Sequence, residues 1–166
     1  RILAPYDPSI DPTNQGINWQ PHQAKIAIAS GGLTGTGLGE GTQSQSNAIP
    51  GKHTDFIFAV VGEELGLIGA CLVILLLMII VVRCVQIGLR SGNTMSMLVC
   101  FGVASTVVFQ TFENIGMCIG IAPVVGITLP FFSYGGSSLF SMFAAMGLVS
   151  GIKYRPKPTR AAIYGR

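Results

Sequence analysis

The stretch HTDFIFAVVGEELG, residues 53–66, places three carboxylates at the mouth of the most apolar part of the chain. Asp55 stands directly before an aromatic and aliphatic run, and Glu63 and Glu64 stand at the end of that run. Ionisable residues at the edge of a membrane are expensive, so they are first considered as functional residues. A carboxylate partly removed from water can act as a general base, and Asp55 is the candidate for that role. Glu64 receives no catalytic role.

Asp55 also has a purely structural interpretation. Thr54 or Asp55 is a good N-cap for a helix that begins at Phe56, and such a cap stabilises a helix by about 1 kcal/mol. On a helix continued from Asp55, the carboxylate lies within about 40° of the face formed by three glycines, at about 100° per residue. Neighbouring helices approach such faces closely, so Asp55 is predicted to point inward. The glycines are Gly62, Gly66 and Gly69.

The elements that position these residues are predicted to be membrane helices. Charged residues make up 10% of the chain and hydrophobic residues 49%, with a mean hydropathy of +0.59, which excludes an ordinary water-soluble globule. Three uncharged stretches are long enough to cross a bilayer, and Pro123 and Pro130 divide the last of them. We therefore predict an all-α, polytopic membrane protein with three transmembrane helices, at about 57–82, 94–118 and 135–153.

Basic residues orient these helices. Arg83 and Arg90 lie between the first two spans and five more basic residues follow the third, so the positive-inside rule makes both regions cytoplasmic. Residues 1–54 and the turn at 119–134 are then extracytoplasmic, and residues 154–166 form a basic cytoplasmic tail. Because the basic residues flank spans and lack interleaved aromatics, nucleic acid is not a predicted partner. With neither a starting Met nor a signal peptide, the chain is interpreted as the C-terminal part of a larger protein, whose missing N-terminal helices are partners of this part.

A glycine-rich stretch precedes the first span, with seven glycines between Gly31 and Gly51. It contains neither GxGxxG nor GxxxxGK[ST], so a Walker-type phosphate loop is rejected. Two interpretations stay open. The glycines could let backbone amides approach a ligand, with Lys25 and Lys52 meeting an anion, or the stretch could be a tightly turned cap packed on the helices.

Two long motifs resemble the SEDS family (shape, elongation, division and sporulation), which includes RodA, FtsW and SpoVE. Residues 27–66 resemble the family's GSGGLxGKGLGxGTQ followed by LPExHTDFIFAxxxEExG, and residues 113–138, ENIGMCIGIAPVVGITLPFFSYGGSS, resemble NIGMxxGLxPxxGxPLPFxSYGGSS. The chain departs from this pattern at Thr36, where a Lys is common. It also departs at Gly51, where the family usually has the Glu of LPE.

The resemblance implies a peptidoglycan glycosyltransferase of the bacterial cytoplasmic membrane, polymerising the lipid-linked disaccharide lipid II outside that membrane. It makes Asp55 the essential residue, and it implies a class B penicillin-binding protein transpeptidase as partner. The candidates for substrate binding beside Asp55 are Lys25, Lys52, His53, Thr54, Ser133 and Tyr134.

The expected chemistry needs one base. An α-linked donor and a β-1,4 product require a single inverting displacement, in which a carboxylate takes the proton of a sugar hydroxyl. The departing pyrophosphate needs its charge stabilised, by Lys or Arg or by a divalent cation such as magnesium or manganese with unknown ligands. Two other functions remain open: a lipid II transporter (flippase), since a helical bundle with an inward Asp suits passage of a polar headgroup, and a noncatalytic scaffold for a penicillin-binding protein.

Overall fold

The structure is a computed structural model, and it describes residues 16, 18–45, 51 and 53–154. Within those residues the chain is helical and contains no strand, which confirms the all-α class. Much of the predicted outer loop, Lys52, and the predicted tail from residue 155 onward lie outside the described residues. The helices of the described part are α1 (Trp19–Gly31), α2 (Thr42–Gln45), α3 (Ile57–Glu64), α4 (Gly66–Arg90), α5 (Thr94–Ile119) and α6 (Gly136–Tyr154).

In the described part, two helices are long and apolar enough to cross a membrane: α4 with 25 residues and α5 with 26. At about 1.5 Å per residue, each exceeds the roughly 30 Å of a bilayer's hydrocarbon core. Leu, Ile, Val, Phe and Met side chains cover much of their exposed surface. Such apolar surface requires lipid or further helices around it. The third predicted span corresponds to α6, which is shorter and more polar, so its passage through the membrane stays a prediction.

The predicted first span, 57–82, is not one continuous helix. α3 ends at Glu64 and α4 begins at Gly66, whose φ of 67° is a backbone conformation that L side chains rarely adopt. A Cβ at Gly66 would collide with the backbone of Leu33 and Gly35. The helix therefore breaks where the glycine-rich segment passes close to it.

The glycine-rich segment also satisfies the backbone groups that the break releases. The amides of Thr36 and Gly37 donate to the carbonyls of Glu63 and Glu64, at 2.9 and 3.1 Å. On the other side of the break, the amide of Leu67 donates to the Gly32 carbonyl at 3.0 Å. Broken helices are tolerated at membrane depth when neighbouring protein pairs their free backbone groups in this way.

The two glutamates after the apolar run hold α2 in place. Glu63 is fully buried, and its carboxylate accepts hydrogen bonds from the amides of Gln43 and Ser44, each at 2.8 Å. The Ser44 hydroxyl donates to Glu64 at 3.0 Å. A buried carboxylate is stable only when it is hydrogen-bonded in this way, so both glutamates serve the packing of the loop.

The first helix lies within residues 1–54, which the sequence predicts to be an extracytoplasmic loop. α1 begins at Trp19, with Pro21 in its first turn, where a missing amide costs nothing. Its buried face consists of small residues, including Ala24, Ala27 and Gly31, and packs against α3. A Cβ at Gly31 would collide with the Gly62 carbonyl, so the backbones of α1 and α3 are in direct contact at these two glycines.

A hydrophobic core forms around the C-terminal half of α4. Cys84 of α4, Cys100 and Ala104 of α5, and Val149 of α6 are buried together. The sulfur atoms of Cys84 and Met146 lie 3.9 Å apart. The C-terminal halves of α4 and α6 thus lie at the same end of the molecule.

Candidate functional site

Asp55 lies in a tight turn immediately before α3. The amides of Thr54, Asp55 and Phe56 all point at the Gly51 carbonyl, at 3.0, 3.0 and 3.2 Å. The N-cap position of α3 is Phe56, and no side chain caps the helix. The prediction that Thr54 or Asp55 caps it is therefore wrong, because the turn places both residues before the first helical turn. The carboxylate of Asp55 is left available for another use.

Three consecutive backbone carbonyls in this turn are held by the second sequence motif. The Tyr134 amide donates to the His53 carbonyl at 2.8 Å. The Ser133 hydroxyl donates to the Thr54 carbonyl at 2.6 Å, and the Asn114 side-chain amide donates to the Asp55 carbonyl at 2.8 Å. The two motifs, which lie far apart in the sequence, therefore form one site around Asp55.

Asn114 is the residue that sequence analysis missed. It is fully buried near the end of α5, and its side-chain amide also donates to the Ile127 carbonyl at 2.7 Å. Its side-chain oxygen has no hydrogen-bond partner among the described residues. The available signal was an amide inside an apolar span, since buried polar side chains are kept where they hydrogen-bond.

The segment between α5 and α6 brings its residues to Asp55 through a defined path. α5 ends at Ile119, and Gly120 after it has a φ of 74°. The amides of Ile121 and Gly120 donate back to the carbonyls of Gly116 and Met117, at 2.8 and 3.2 Å. This pattern is a Schellman-type helix end. The predicted turn at 119–134 thus matches the observed connection between the two helices.

The end of this segment is a strained turn. Phe131 has a φ of 64°, which is uncommon for a residue with a side chain. The Ser133 hydroxyl accepts the Leu129 amide at 2.7 Å while it donates to Thr54, and the Phe131 ring packs edge-on against Phe143 at 5.5 Å. These contacts hold the strained turn against the residues that precede α3.

Glycines surround the carboxylate of Asp55. A Cβ built at Gly126 would lie 3.3 Å from its Oδ2, and one at Gly51 would lie 3.9 Å from it. Asp55 is half-buried, and its carboxylate has no hydrogen bond or ion pair with any residue in the described part of the chain. The prediction that it shares a helical face with Gly62 and Gly66 does not hold, because α3 starts after Asp55 and ends before Gly66. Its observed neighbours are the backbone of Gly126 and Gly51.

The other substrate-binding candidates of the two motifs take different positions. His53 is exposed, and Thr54 is half-buried with its hydroxyl donating to the Gly51 carbonyl at 3.2 Å. Ser133 is 2% exposed and its hydroxyl already has two partners inside the protein, whereas Tyr134 is 81% exposed. All four lie beside Asp55, and their contacts with a substrate stay predictions.

Lys25 is not paired with Asp55. It is exposed on α1, and the end of its side chain lies against Gly120, at the C-terminus of α5, where a cation is favourable. Lys52 lies outside the described residues. No group of three or more His, Cys, Asp or Glu side chains that could hold a metal occurs in the described part. The divalent cation therefore stays a prediction, since magnesium is usually held by one or two carboxylates together with substrate phosphates.

Comparison with known proteins gives one consistent family. A family model of cell cycle proteins, that of FtsW, RodA and SpoVE, matches residues 1–157. Peptidoglycan glycosyltransferase MrdB of Escherichia coli K12 is 43% identical over 152 residues, which are 92% of this chain and 40% of that protein. Probable peptidoglycan glycosyltransferase FtsW of Geobacter metallireducens is 42% identical over 159 residues, 96% of this chain and 42% of that protein.

A solved structure has the same fold. One chain of a peptidoglycan synthase complex, studied for its coordination of polymerization and crosslinking, superposes with a TM-score of 0.71 at 30% identity. The match covers 90% of this chain and 41% of that one. This chain therefore spans about two fifths of the length of each relative named above.

Proposed function

Since the chain belongs to the FtsW, RodA and SpoVE family of cell cycle proteins, we propose that it carries the catalytic base of a peptidoglycan glycosyltransferase. The proposed reaction polymerises lipid II into β-1,4 glycan strands. Relatives that bear the name peptidoglycan glycosyltransferase match nearly all of this chain. The most direct support for the assignment comes from the surroundings of Asp55. Three hydrogen bonds hold the backbone carbonyls of residues 53–55, while the Asp55 carboxylate has no partner among the described residues.

The proposed step is a single inverting displacement. The Asp55 carboxylate takes the proton from the 4-hydroxyl of the acceptor sugar, and the hydroxyl oxygen forms a bond with the anomeric carbon of the donor. The bond between that carbon and the lipid pyrophosphate breaks, so the electron pair leaves with the pyrophosphate. One carboxylate suffices because no covalent glycosyl intermediate forms.

The charge of the leaving pyrophosphate must be met by cations. Lys25 and Lys52 are the proposed contributors from this chain, and Lys25 reaches the end of α5 from α1. A magnesium or manganese ion is the other proposed contributor. Such an ion would be held by carboxylate oxygens together with the oxygens of the substrate pyrophosphate.

The chain is a membrane protein, and we propose the following topology for it. α4, α5 and α6 cross the bacterial cytoplasmic membrane, and residues 1–54 and the segment between α5 and α6 face the extracytoplasmic side. The unbalanced basic residues at the ends of α4 and α6 support this orientation, because such residues accumulate on the cytoplasmic side. Asp55 then lies on the side where the lipid-linked substrate is polymerised.

A class B penicillin-binding protein is the proposed partner. The solved relative belongs to a complex that couples polymerization with crosslinking. A transpeptidase would catalyse the crosslinking, and its substrates would be the glycan strands that the glycosyltransferase makes. The chain spans about two fifths of the length of its relatives, and we propose that helices corresponding to the remainder of a relative pack against it.

Polymerisation of lipid II by the purified full-length protein tests the assignment. Asp55→Asn keeps the size of the side chain and removes the base, so the rate should fall by about 10²- to 10⁴-fold. The control is Glu40→Gln, the same chemical change at an exposed carboxylate, which should leave the rate unchanged. An Asp55→Asn protein that polymerises normally would contradict the proposal, and lipid II transport and transpeptidase binding would then be measured as the alternatives.

A further inference from the structure

A cavity lies at the end of the molecule away from Asp55. It has a volume of about 700 Å³ and is an open groove between the C-terminal halves of α4 and α6. Its apolar lining consists of isoleucine, valine and methionine side chains together with Cys84. Its polar lining consists of Arg83, Gln86, Arg90, Ser91, Ser150 and Lys153.

The helix periodicity brings the basic residues of this cavity together. Arg83 and Arg90 are seven residues apart, which is close to two helical turns, so they lie on the same face of α4. Lys153 lies on α6, three residues after Ser150, and that face of α6 is turned toward α4. Two helices that are far apart in the sequence therefore bring three cations to one groove, where the Lys153 ammonium lies 5.4 Å from the centre of the Tyr154 ring.

No carboxylate balances these cations. None of the three forms an ion pair with any residue that the structure describes. The Arg83 guanidinium contacts only the side-chain oxygen of Gln86, at 3.5 Å. After Glu64 the sequence has one acid, Glu113, which lies near the opposite end of α5. The three positive charges at this groove repel one another, and an anion bound between them is attracted to all three.

The walls of the cavity identify the kind of anion. The lining continues into the exposed apolar face of α4, where Ile79 is 49% exposed, so an anion bound here would be joined to apolar surface rather than surrounded by water. The volume is within the usual range of roughly 300 to 1,000 Å³ for small-molecule sites. Basic pockets between membrane helices on the cytoplasmic side bind anionic lipid headgroups.

We propose that this cavity binds the headgroup of an anionic glycerophospholipid from the cytoplasmic leaflet. Arg83 and Arg90 hold the phosphate oxygens, because a guanidinium can donate two parallel hydrogen bonds to them. Lys153 supplies a third positive charge from α6, and the acyl chains lie along the apolar face of α4. The bound lipid then joins the ends of α4 and α6. This proposal rests on the proposed membrane orientation and not on the reaction at Asp55.

The test measures which lipids stay bound to the full-length protein. The protein is purified, exchanged into mixed micelles that contain equal amounts of phosphatidylglycerol and phosphatidylethanolamine, and examined by native mass spectrometry. The charge-removing variant combines Arg83→Gln, Arg90→Gln and Lys153→Gln. The matched control combines Arg83→Lys, Arg90→Lys and Lys153→Arg, which preserves every charge.

The expected result is selective retention of phosphatidylglycerol by the wild type, and retention by the charge-preserving control that lies between the wild type and the charge-removing variant, since lysine keeps the charge but not the paired hydrogen bonds. Each basic residue near an anionic membrane surface is worth about fivefold in binding, so the charge-removing variant should retain at least about tenfold less. Equal retention by all three proteins, or equal retention of both lipids, would overturn the proposal. Displacement of the lipid by millimolar inorganic phosphate would also overturn it, since the site would then select a soluble anion. Asp55→Asn should retain lipid normally, so failure here is distinguishable from failure of the proposed reaction.

Discussion

Gly126 determines how close the segment between α5 and α6 comes to the Asp55 carboxylate. A Cβ at this position would lie 3.3 Å from Oδ2, and the φ of 77° adds backbone strain. Gly126→Ala should therefore shift the carboxylate by a few tenths of an ångström and lower lipid II polymerisation several-fold, because small misplacements of a reacting group are costly. The measurement is the initial rate of glycan formation beside the thermal unfolding temperature.

Gly92→Ala is the matched control for this substitution. Gly92 has a similar φ of 68°, but a Cβ there meets nothing within 4 Å. Both variants should lose about 1 to 2 kcal/mol of stability, the usual cost of a side chain in the left-handed region. Only Gly126→Ala should lose activity. Equal rates in the two variants would show that crowding at the carboxylate has no effect on the reaction.

Asn114 gives a second prediction at the residue scale. Asn114→Leu keeps the approximate shape of the side chain but removes both hydrogen bonds to the Asp55 and Ile127 carbonyls. Each buried polar group left unpaired costs about 1 to 3 kcal/mol, so the loss of both partners should lower the free energy of unfolding by about 2 to 6 kcal/mol. Polymerisation should fall further than this loss of stability explains, because the turn that carries Asp55 loses one of its three attachments.

Gln110→Leu is the control on the same helix. The side-chain oxygen of Gln110 is buried without a partner among the described residues, so its removal should leave stability unchanged or increase it by up to about 1 kcal/mol. If Asn114→Leu prevents folding, Ser133→Ala is the second variant, since it removes the hydrogen bond to the Thr54 carbonyl together with the one from the Leu129 amide. Full activity in Ser133→Ala and in a folded Asn114→Leu protein would contradict the positioning role of the second motif.

The sequence allowed Asp55 to be predicted but not Asn114. Asp55 is an acid beside an apolar run, and local rules and the HTDF motif both identify it. The role of Asn114 depends on a contact with a residue 59 positions away. No local pattern encodes such a distance.

At the scale of elements, the break between α3 and α4 is the clearest difference from expectation. The residues from 57 to 82 contain nothing except glycine that disfavours a helix, and glycine costs only about 1 kcal/mol there. The break follows from packing, because the segment that contains Gly35 lies against the backbone of Gly66 and Glu64. The helical conformation of these residues was therefore predictable from the sequence. The position where α3 ends was not, because it depends on the segment packed against it.

Gly66→Ala tests this explanation. The new Cβ would meet both the positive φ and the backbone of Leu33, so the free energy of unfolding should fall by at least about 2 kcal/mol. Gly102→Ala is the control, since a Cβ there meets nothing within 4 Å inside α5 and should stabilise the helix by up to about 1 kcal/mol. Thermal unfolding of the purified full-length protein measures both effects. An increase in stability from Gly66→Ala would mean that the helix is continuous.

At the scale of the whole molecule, the chain has two chemically different ends. One end joins the two sequence motifs around Asp55, and the other carries the unbalanced cations around the cavity between α4 and α6. The apolar composition predicted the membrane environment and the basic residues predicted an orientation. The convergence of Arg83, Arg90 and Lys153 was not predictable, because it depends on which face of α6 packs against α4.

Immersion of α4 in the membrane can be tested with one charge placed at two depths. Met78 lies at the middle of α4 and is 56% exposed, whereas Leu89 lies at its end and is 65% exposed. A lysine at the centre of a membrane helix costs about 2.5 to 3.5 kcal/mol in insertion, and much less near the end, where its amine reaches water. Met78→Lys should therefore reduce the amount of protein in the membrane fraction strongly, while Leu89→Lys should change it little. The two side chains have similar exposure, so a difference between the variants reports on depth in the membrane and not on burial within the protein. Equal amounts of the two variants in the membrane fraction would mean that α4 does not cross the bilayer.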